Sequence, residues 1–459
     1  MSAQKNITLE GAIAVTRFGL GAQQGEIALA SQNPKAWLKD QLTETVLPFP
    51  MKGLLTSQGY ILEKEAFITA RRAEKSDEAK IVVSEPFNKR FRAWQNAEQI
   101  TRFRYGVRTQ APFHERLTQF WSNHFSVSGR TRDVLTAAAH EREAIRPFIL
   151  GSFKELAYSA ILHPSMLVYL DNVRSVGPNS VFGLVGGRFR RKGLNENLAR
   201  EVMELHTVTP KAKYTQSDVT EFARALTGWG VADKQALNDL GGKTYFDIKK
   251  HEPGSRRVMN KTYFSIGKKQ APAVLRNLCE HPETAKNVAY KLARHFTSDK
   301  PPSRLVKALT KKFSQTNGDL MALYKVLIDA PETWEALPQK AKTPNEMLLS
   351  TARQLGPDQV FPTSAKDVFE GFGQTAFRAS TPEGWPDGNE NWLGPDAVMK
   401  RIEWANKVAQ KNSSFDARVF LTQGLGPRLS SKTQDVIEAA ESNQQALTLA
   451  LMSPEFLRR

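Results

Sequence analysis

Apolar residues recur along most of this 459-residue chain at the three-and-four spacing that gives a helix one oily face. The periodicity predicts helices over 35–44, 60–83, 88–104, 112–126, 133–150, 154–162, 195–207, 216–227, 271–279, 283–296, 303–314, 318–329, 343–354, 396–411 and 433–452. An earlier amphipathic helix carries Leu9, Ile13 and Phe18 near one face and closes at Gly19 and Gly21. Two starts are sharply signalled. Thr215-x-x-Asp218 forms a capping box before Val219, Phe222 and Leu226, with Gly228 as the stop. Thr343-Pro344-x-Glu346 joins an N-cap, a proline at the first helical position and a capping acid.

Strand signals are few, the clearest being Thr244-Tyr245-Phe246. Two glycine- and proline-rich stretches interrupt the helical pattern, 228–268 and 371–395, and loops this long usually carry function or join domains. No repeat of constant period is present, which argues against a solenoid. The expected fold is all-α: a large multi-helix bundle in two lobes, 1–230 and 265–459, joined by the irregular segment 231–264.

Composition sharpens this picture in three places. Hydrophobic residues make up 40% and charged residues 24%, ordinary globular usage that argues against wholesale disorder. A single cysteine, Cys279, excludes an intramolecular disulfide framework and a multi-thiolate zinc site. The net charge of +17 raises the prospect of an anionic partner. The densest basic runs are Arg71-Arg72, Lys89 to Arg92, Arg102 to Arg104, and Arg188 to Lys192, some interleaved with phenylalanine. No nucleic-acid motif of fixed spacing accompanies them, so nucleic acid is not the favoured partner. No apolar run approaches the length of a membrane span, and insertion into a membrane is not expected.

Candidate chemistry gathers at histidines. In PFHERLTQFWSNHFS (112–126), Leu117, Phe120, Trp121 and Phe125 share a face, with His124 in its middle. A histidine so placed is most often a core residue bonded to a carbonyl; the functional alternative is a ligand or acid–base group between helices. In NENLAREVMELHT (195–207), Leu198, Val202 and Leu205 mark the buried stripe, His206 lies close to it, and Glu201 borders it. On an unbroken helix Glu204 and His206 point apart. A divalent metal ion would therefore need Glu201 and His206 with a ligand from another helix, such as His124. The plain alternative is a helix with solvated carboxylates, Glu196–Arg200 forming an i, i+4 pair. His251, in the turn His251-Glu252-Pro253-Gly254, is a third candidate by position. There is no G-x-S-x-G elbow, Walker loop or dinucleotide fingerprint.

Several of these segments together resemble the signature blocks of a bacterial family, domain of unknown function 1800. They are RFGLG (17–21), RLTQFWSNHFSVS (116–128), NENLAREVMELHT (195–207), YTQSDVTEFARALTGW (214–229) and HEPG (251–254). KLARHFTSDKPP (291–302) and the segment opening KTPNEMLLS (342–350) resemble later blocks. The resemblance implies a helical protein, often encoded beside a sulfatase-like protein of domain of unknown function 1501 that carries a twin-arginine leader. This chain departs from the pattern at Thr207-Val208-Thr209-Pro210, where the family usually shows Thr-Leu-Gly, and in showing no leader at its start.

Two readings follow. One is a metal-assisted enzyme using His124, Glu201 and His206, with His251 as a further catalytic candidate. The other is a non-catalytic binding or export partner of the sulfatase-like protein, in which the same polar groups fix helix packing. Convergence of these groups on an open pocket separates the two. The absent signal points to the cytoplasm, with carriage to the periplasm by a leader-bearing partner as the alternative.

Overall fold

Thr215 and Thr343 cap their helices as the sequence predicts in a computed structural model of the chain: each accepts from the backbone N–H three residues on, and Asp218 and Glu346 bond back. The structure describes residues 7–43, 48–129, 136–185, 193–232, 241–264 and 267–459. The chain is 63% helical with 4% strand, so the all-α expectation holds. Among the described residues the strands are two short antiparallel pairs, Trp229–Val231 with Thr244–Phe246 and Arg256–Val258 with Lys261–Tyr263. Both lie in the first long irregular stretch. Among the described residues no helix is long and apolar enough to cross a membrane.

Element boundaries shift where capping overrides periodicity. The predicted helices 60–83 and 88–104 become Ser57–Ala73 and Asp77–Arg108, because Thr56 and Ser76 cap the two starts. Pro86 is carried inside the second of them. The predicted 433–452 splits into Ser431–Glu438 and Asn443–Leu451, the second opened by Ser442.

Two apolar cores form among the described residues. The first gathers residues 12–42, 113–229 and 258–328; the second gathers Leu20, Phe103, Val107 and residues from Met347 to Phe456. The segment from 265 contributes to both, the change falling after the helix Leu320–Asp329.

The RFGLG segment joins the cores. Arg17 donates to the carbonyl of Thr333 at 2.6 Å, Gly19 O accepts from Arg116 Nε at 2.7 Å, and Gly21 O accepts from Arg353 Nε at 2.7 Å. Gly21 has φ 97°, and a Cβ there would lie 2.5 Å from that of Ser350, so only glycine fits. Arg353 Nη2 also donates to both carboxylate oxygens of Glu26, each at 2.8 Å, in a buried ion pair.

Candidate functional site

A cavity of about 380 Å³ opens between the two cores. Its walls come from the helix Pro112–His124, the helix Pro282–Phe296, the start of the helix Pro344–Leu355, and the irregular stretch 374–391. Residues 374–391 of the irregular stretch 371–395 form one of these walls. Asn123 holds it like a missing strand partner, its Oδ1 accepting from Trp385 N at 2.8 Å and its Nδ2 donating to Trp385 O at 2.9 Å. Gly384 packs onto the same residue at φ 88°, where a Cβ would meet Asn123 O at 2.5 Å.

The floor is built from a helix end. Residues 195–207 do not run as one α-helix: Asn197–Glu201 is α-helical, and Val202–His206 continues as a π-helix that stops at Thr207. A helix leaves its last carbonyls without partners inside it. Here side chains from two other helices supply them. Asn287 Nδ2 donates to Thr207 O at 3.0 Å, Lys291 Nζ to Leu205 O at 3.0 Å, and His124 Nε2 lies 3.1 Å from His206 O.

These contacts set the His124 tautomer. A carbonyl only accepts, so Nε2 carries the proton and Nδ1 of the neutral ring is bare. That bare nitrogen faces Lys291 Nζ at 3.4 Å. Burial, with Lys291 and His206 beside it, holds His124 well below the usual histidine range, so the neutral form is the one present. Burial also lowers Lys291 to about 8, against an opposing pull from Glu383. The neutral amine has two N–H bonds and one lone pair. Leu205 O and His124 Nδ1 take the two N–H groups, which leaves the lone pair of the neutral amine unengaged beside the cavity that Lys291 lines.

Beside the amine lies a buried ionic network. Glu346 pairs with Arg116 and with Arg459 Nε, the latter at 2.7 Å. Arg459 Nη1 donates to His295 O at 2.6 Å, His295 Nδ1 lies 3.4 Å from Asp387, and Lys340 bridges Asp387 at 3.2 Å and Asp299 at 2.8 Å. Burial alone would raise both carboxyls. Arg459 and Arg116 nevertheless hold Glu346, and His295 and Lys340 hold Asp387, well below the carboxylate range. Charges this deeply paired act first as links between the cores.

The sequence candidates fare unequally. His124 lines the cavity. His206 lies behind it, fully buried, its ring centroid 5.7 Å from that of His124, and neither of its ring nitrogens makes a well-formed hydrogen bond. Glu201 does not join them. Its carboxyl is raised by partial burial and by Glu204, and its charged neighbours are Glu204 and Arg200 on its own helix. The set His124, Glu201 and His206 is therefore not assembled, and no group of three or more His, Cys, Asp or Glu among the described residues is placed to hold a metal ion. The reason is local: the acids stay on the neighbouring face that the periodicity gave them, while the π-turn buries the histidine. The expected Glu196–Arg200 pair is present at 3.0 Å.

His251 lies elsewhere. Its Nδ1 is 2.9 Å from Thr227 O, its ring packs 5.2 Å from that of Phe246, and it does not line the cavity. Glu252 beside it accepts from the backbone and side chain of Asn179 at 2.9 and 2.7 Å. The HEPG turn thus anchors the irregular stretch onto 172–180. Of the basic runs, 188–192 lies outside the described residues, and 88–104 is divided: Lys89, Arg90 and Arg92 are exposed, while Arg102 pairs with buried Glu141 at 2.9 Å.

Sequence reasoning missed Lys291, Arg294, His295, Glu346 and Asp387. A signal for four of them was present, since Lys291, Arg294 and His295 stand in KLARHFTSDKPP and Glu346 in KTPNEMLLS. The chain matches the model of the family described as "Protein of unknown function (DUF1800)" over residues 13–458, and it belongs to that family. No curated protein and no solved structure matches it.

Proposed function

We propose that this chain is an enzyme whose reactive group is the Lys291 amine, oriented by His124 and acting on a small molecule in the cavity between the cores. The observation that carries this reading is the place of the amine: Lys291 lines the cavity while its Nζ is held by Leu205 O at 3.0 Å and His124 Nδ1 at 3.4 Å. A lysine near its own deprotonation point at neutral pH is a competent base or nucleophile, which a solvated lysine is not. The volume of about 380 Å³ suits a small molecule. The metal-assisted form of the enzyme reading loses its ligand set, so no step is routed through a metal.

The test is amine acetylation measured residue by residue from pH 6 to 11. Lys291 should react with a midpoint near 8, against about 10.4 for solvated lysines. The groups facing it are His124, Glu383 and the carbonyl of Leu205. A Lys291 that titrates with the surface lysines, or that never reacts, would sink the reading. The buried polar groups would then stand as packing links, the non-catalytic alternative.

A further inference from the structure

Three arginines line the cavity, and two of them are spoken for: Arg116 by Glu346, and Arg102 by Glu141 at 2.9 Å. Arg294 is different. Among the described residues it makes no hydrogen bond and no ion pair within 4.0 Å, its buried Nε has no partner, and it acts only at longer range on Asp299. A guanidinium keeps its charge at ordinary pH, so one that lines a cavity with no carboxylate in contact is available to an anion bound there. It stands three residues after Lys291 on the helix Pro282–Phe296, which puts the two side chains on one face with Cβ atoms about 5–6 Å apart. One side of one helix therefore presents an anion receptor and an amine to the same space.

Resting on the lysine reading above, we infer that the cavity takes a small carbonyl compound bearing an anionic group, held by Arg294 and captured as an imine on Lys291. The step balances without an added oxidant or reductant. The Nζ lone pair forms a bond to the carbonyl carbon while the C=O π electrons move to oxygen. The two protons that nitrogen loses both end on that oxygen, with His124 Nδ1 as the relay. The C–O bond then breaks, water departs, and a C=N bond remains. A relay of this kind needs a ring that returns its proton at once, and His124 is held in its neutral form. An imine next to a carboxylate or phosphate-bearing carbon is an electron sink, the ordinary use of such an adduct being to break or make a neighbouring C–C or C–H bond.

The experiment is reductive trapping of the full chain with cyanoborohydride, read by peptide mass. The probes are pyruvate, dihydroxyacetone phosphate and, as a neutral control, acetone. A reduced adduct on Lys291 with pyruvate or with the phosphate ester supports the proposal, and whichever is trapped identifies the anion. Arg294→Gln should cut that capture about tenfold or more, as expected for loss of a charge-assisted contact. Equal capture of acetone, or capture insensitive to Arg294→Gln, would overturn the anion receptor. Ready acetylation of Lys291 near pH 8 with no adduct from either anionic probe would overturn the imine and leave the reactive-amine reading standing. Failure of acetylation as well would remove both.

Discussion

Thr209 sits at φ 61° and ψ 165°, a backbone region open in practice only to glycine. It stands at the position where the resembling family pattern has its glycine, immediately after the carbonyls that hold Lys291 and His124. A β-branched residue there stores strain of about 1–3 kcal/mol. Glycine relieves that strain but adds unfolded-state freedom, roughly 0.5–1 kcal/mol in the other direction. Thr209→Gly should therefore raise stability by about 1 kcal/mol, measured as a rise in the urea midpoint at constant slope. A lowered midpoint would show that the strain is absent. At this scale the sequence was informative about burial and silent about aim. His124 announced itself as a polar ring on an apolar face, and it is a buried ring bonded to a carbonyl. Lys291 announced nothing, because one lysine in an amphipathic helix reads as solvated until a second helix supplies acceptors for it. The same silence covered His206. A removed partner is costly only where a partner exists, so His206→Leu should change stability little. His124→Leu, which strips Lys291 and His206 O of a bond, should cost about 1–3 kcal/mol in the same urea measurement.

Helices were legible because a 3.6-residue stripe is written over many positions, whereas their ends and irregularities are written in one or two. Val202–His206 shows the difference: the stripe Leu198, Val202 and Leu205 predicts a continuous α-helix, and nothing in its composition marks the wider turn that buries His206. Leu205 itself, placed on the buried stripe by an α period, is only partly buried. The stretch 371–395 was legible as irregular but not as a wall, since its partner Asn123 is over 250 residues away. That pairing makes a prediction at the level of the element. Asn123→Ala removes both bonds to Trp385, and Gly384→Ala forces a Cβ against Asn123 O at positive φ. Each should destabilise by about 1–3 kcal/mol and loosen the loop specifically. Hydrogen exchange should rise in 381–391 and stay unchanged in the helix Leu320–Asp329, which does not line the cavity. Uniform loss of protection across both would mean that the loop is not an independent wall.

At the scale of the whole molecule, charge placed between the cores is the feature that length and composition could not reveal. A net charge of +17 reads as surface, yet Arg116, Arg146, Arg353, Arg401 and Arg459 are buried. Irregularity at 228–268 looked like a linker, but its HEPG turn is tied down by Thr227 and Asn179, and helices on both sides pack into one core. What the molecule buries also sets its response to acid. Burial pushes His114 and His295 down to about 4, and His140 and His206 to about 3, from an ordinary value of 6.5. Folded, these rings stay neutral until the pH nears those values; unfolded, they take up protons below about 6.5. The unfolded state thus binds more protons throughout the interval, so this stability is fully present above pH 6.5 and falls as the pH drops toward 4. Glu346, held low by Arg459 and Arg116, and Asp387, held low by its bond with His295 and by Lys340 and Arg459, contribute stability that is present above about 4.5 and is lost as acid protonates them. The acid limb should therefore begin two pH units earlier than carboxylates alone would allow. Thermal unfolding followed from pH 7.5 to 4 should show Tm falling steadily below 6.5, and His206→Leu should flatten the slope between 6.5 and 5. A Tm that holds level down to pH 4.5 in the unaltered chain would show that the buried rings are not kept neutral, and with them would go the assignment of His124 as an acceptor for Lys291.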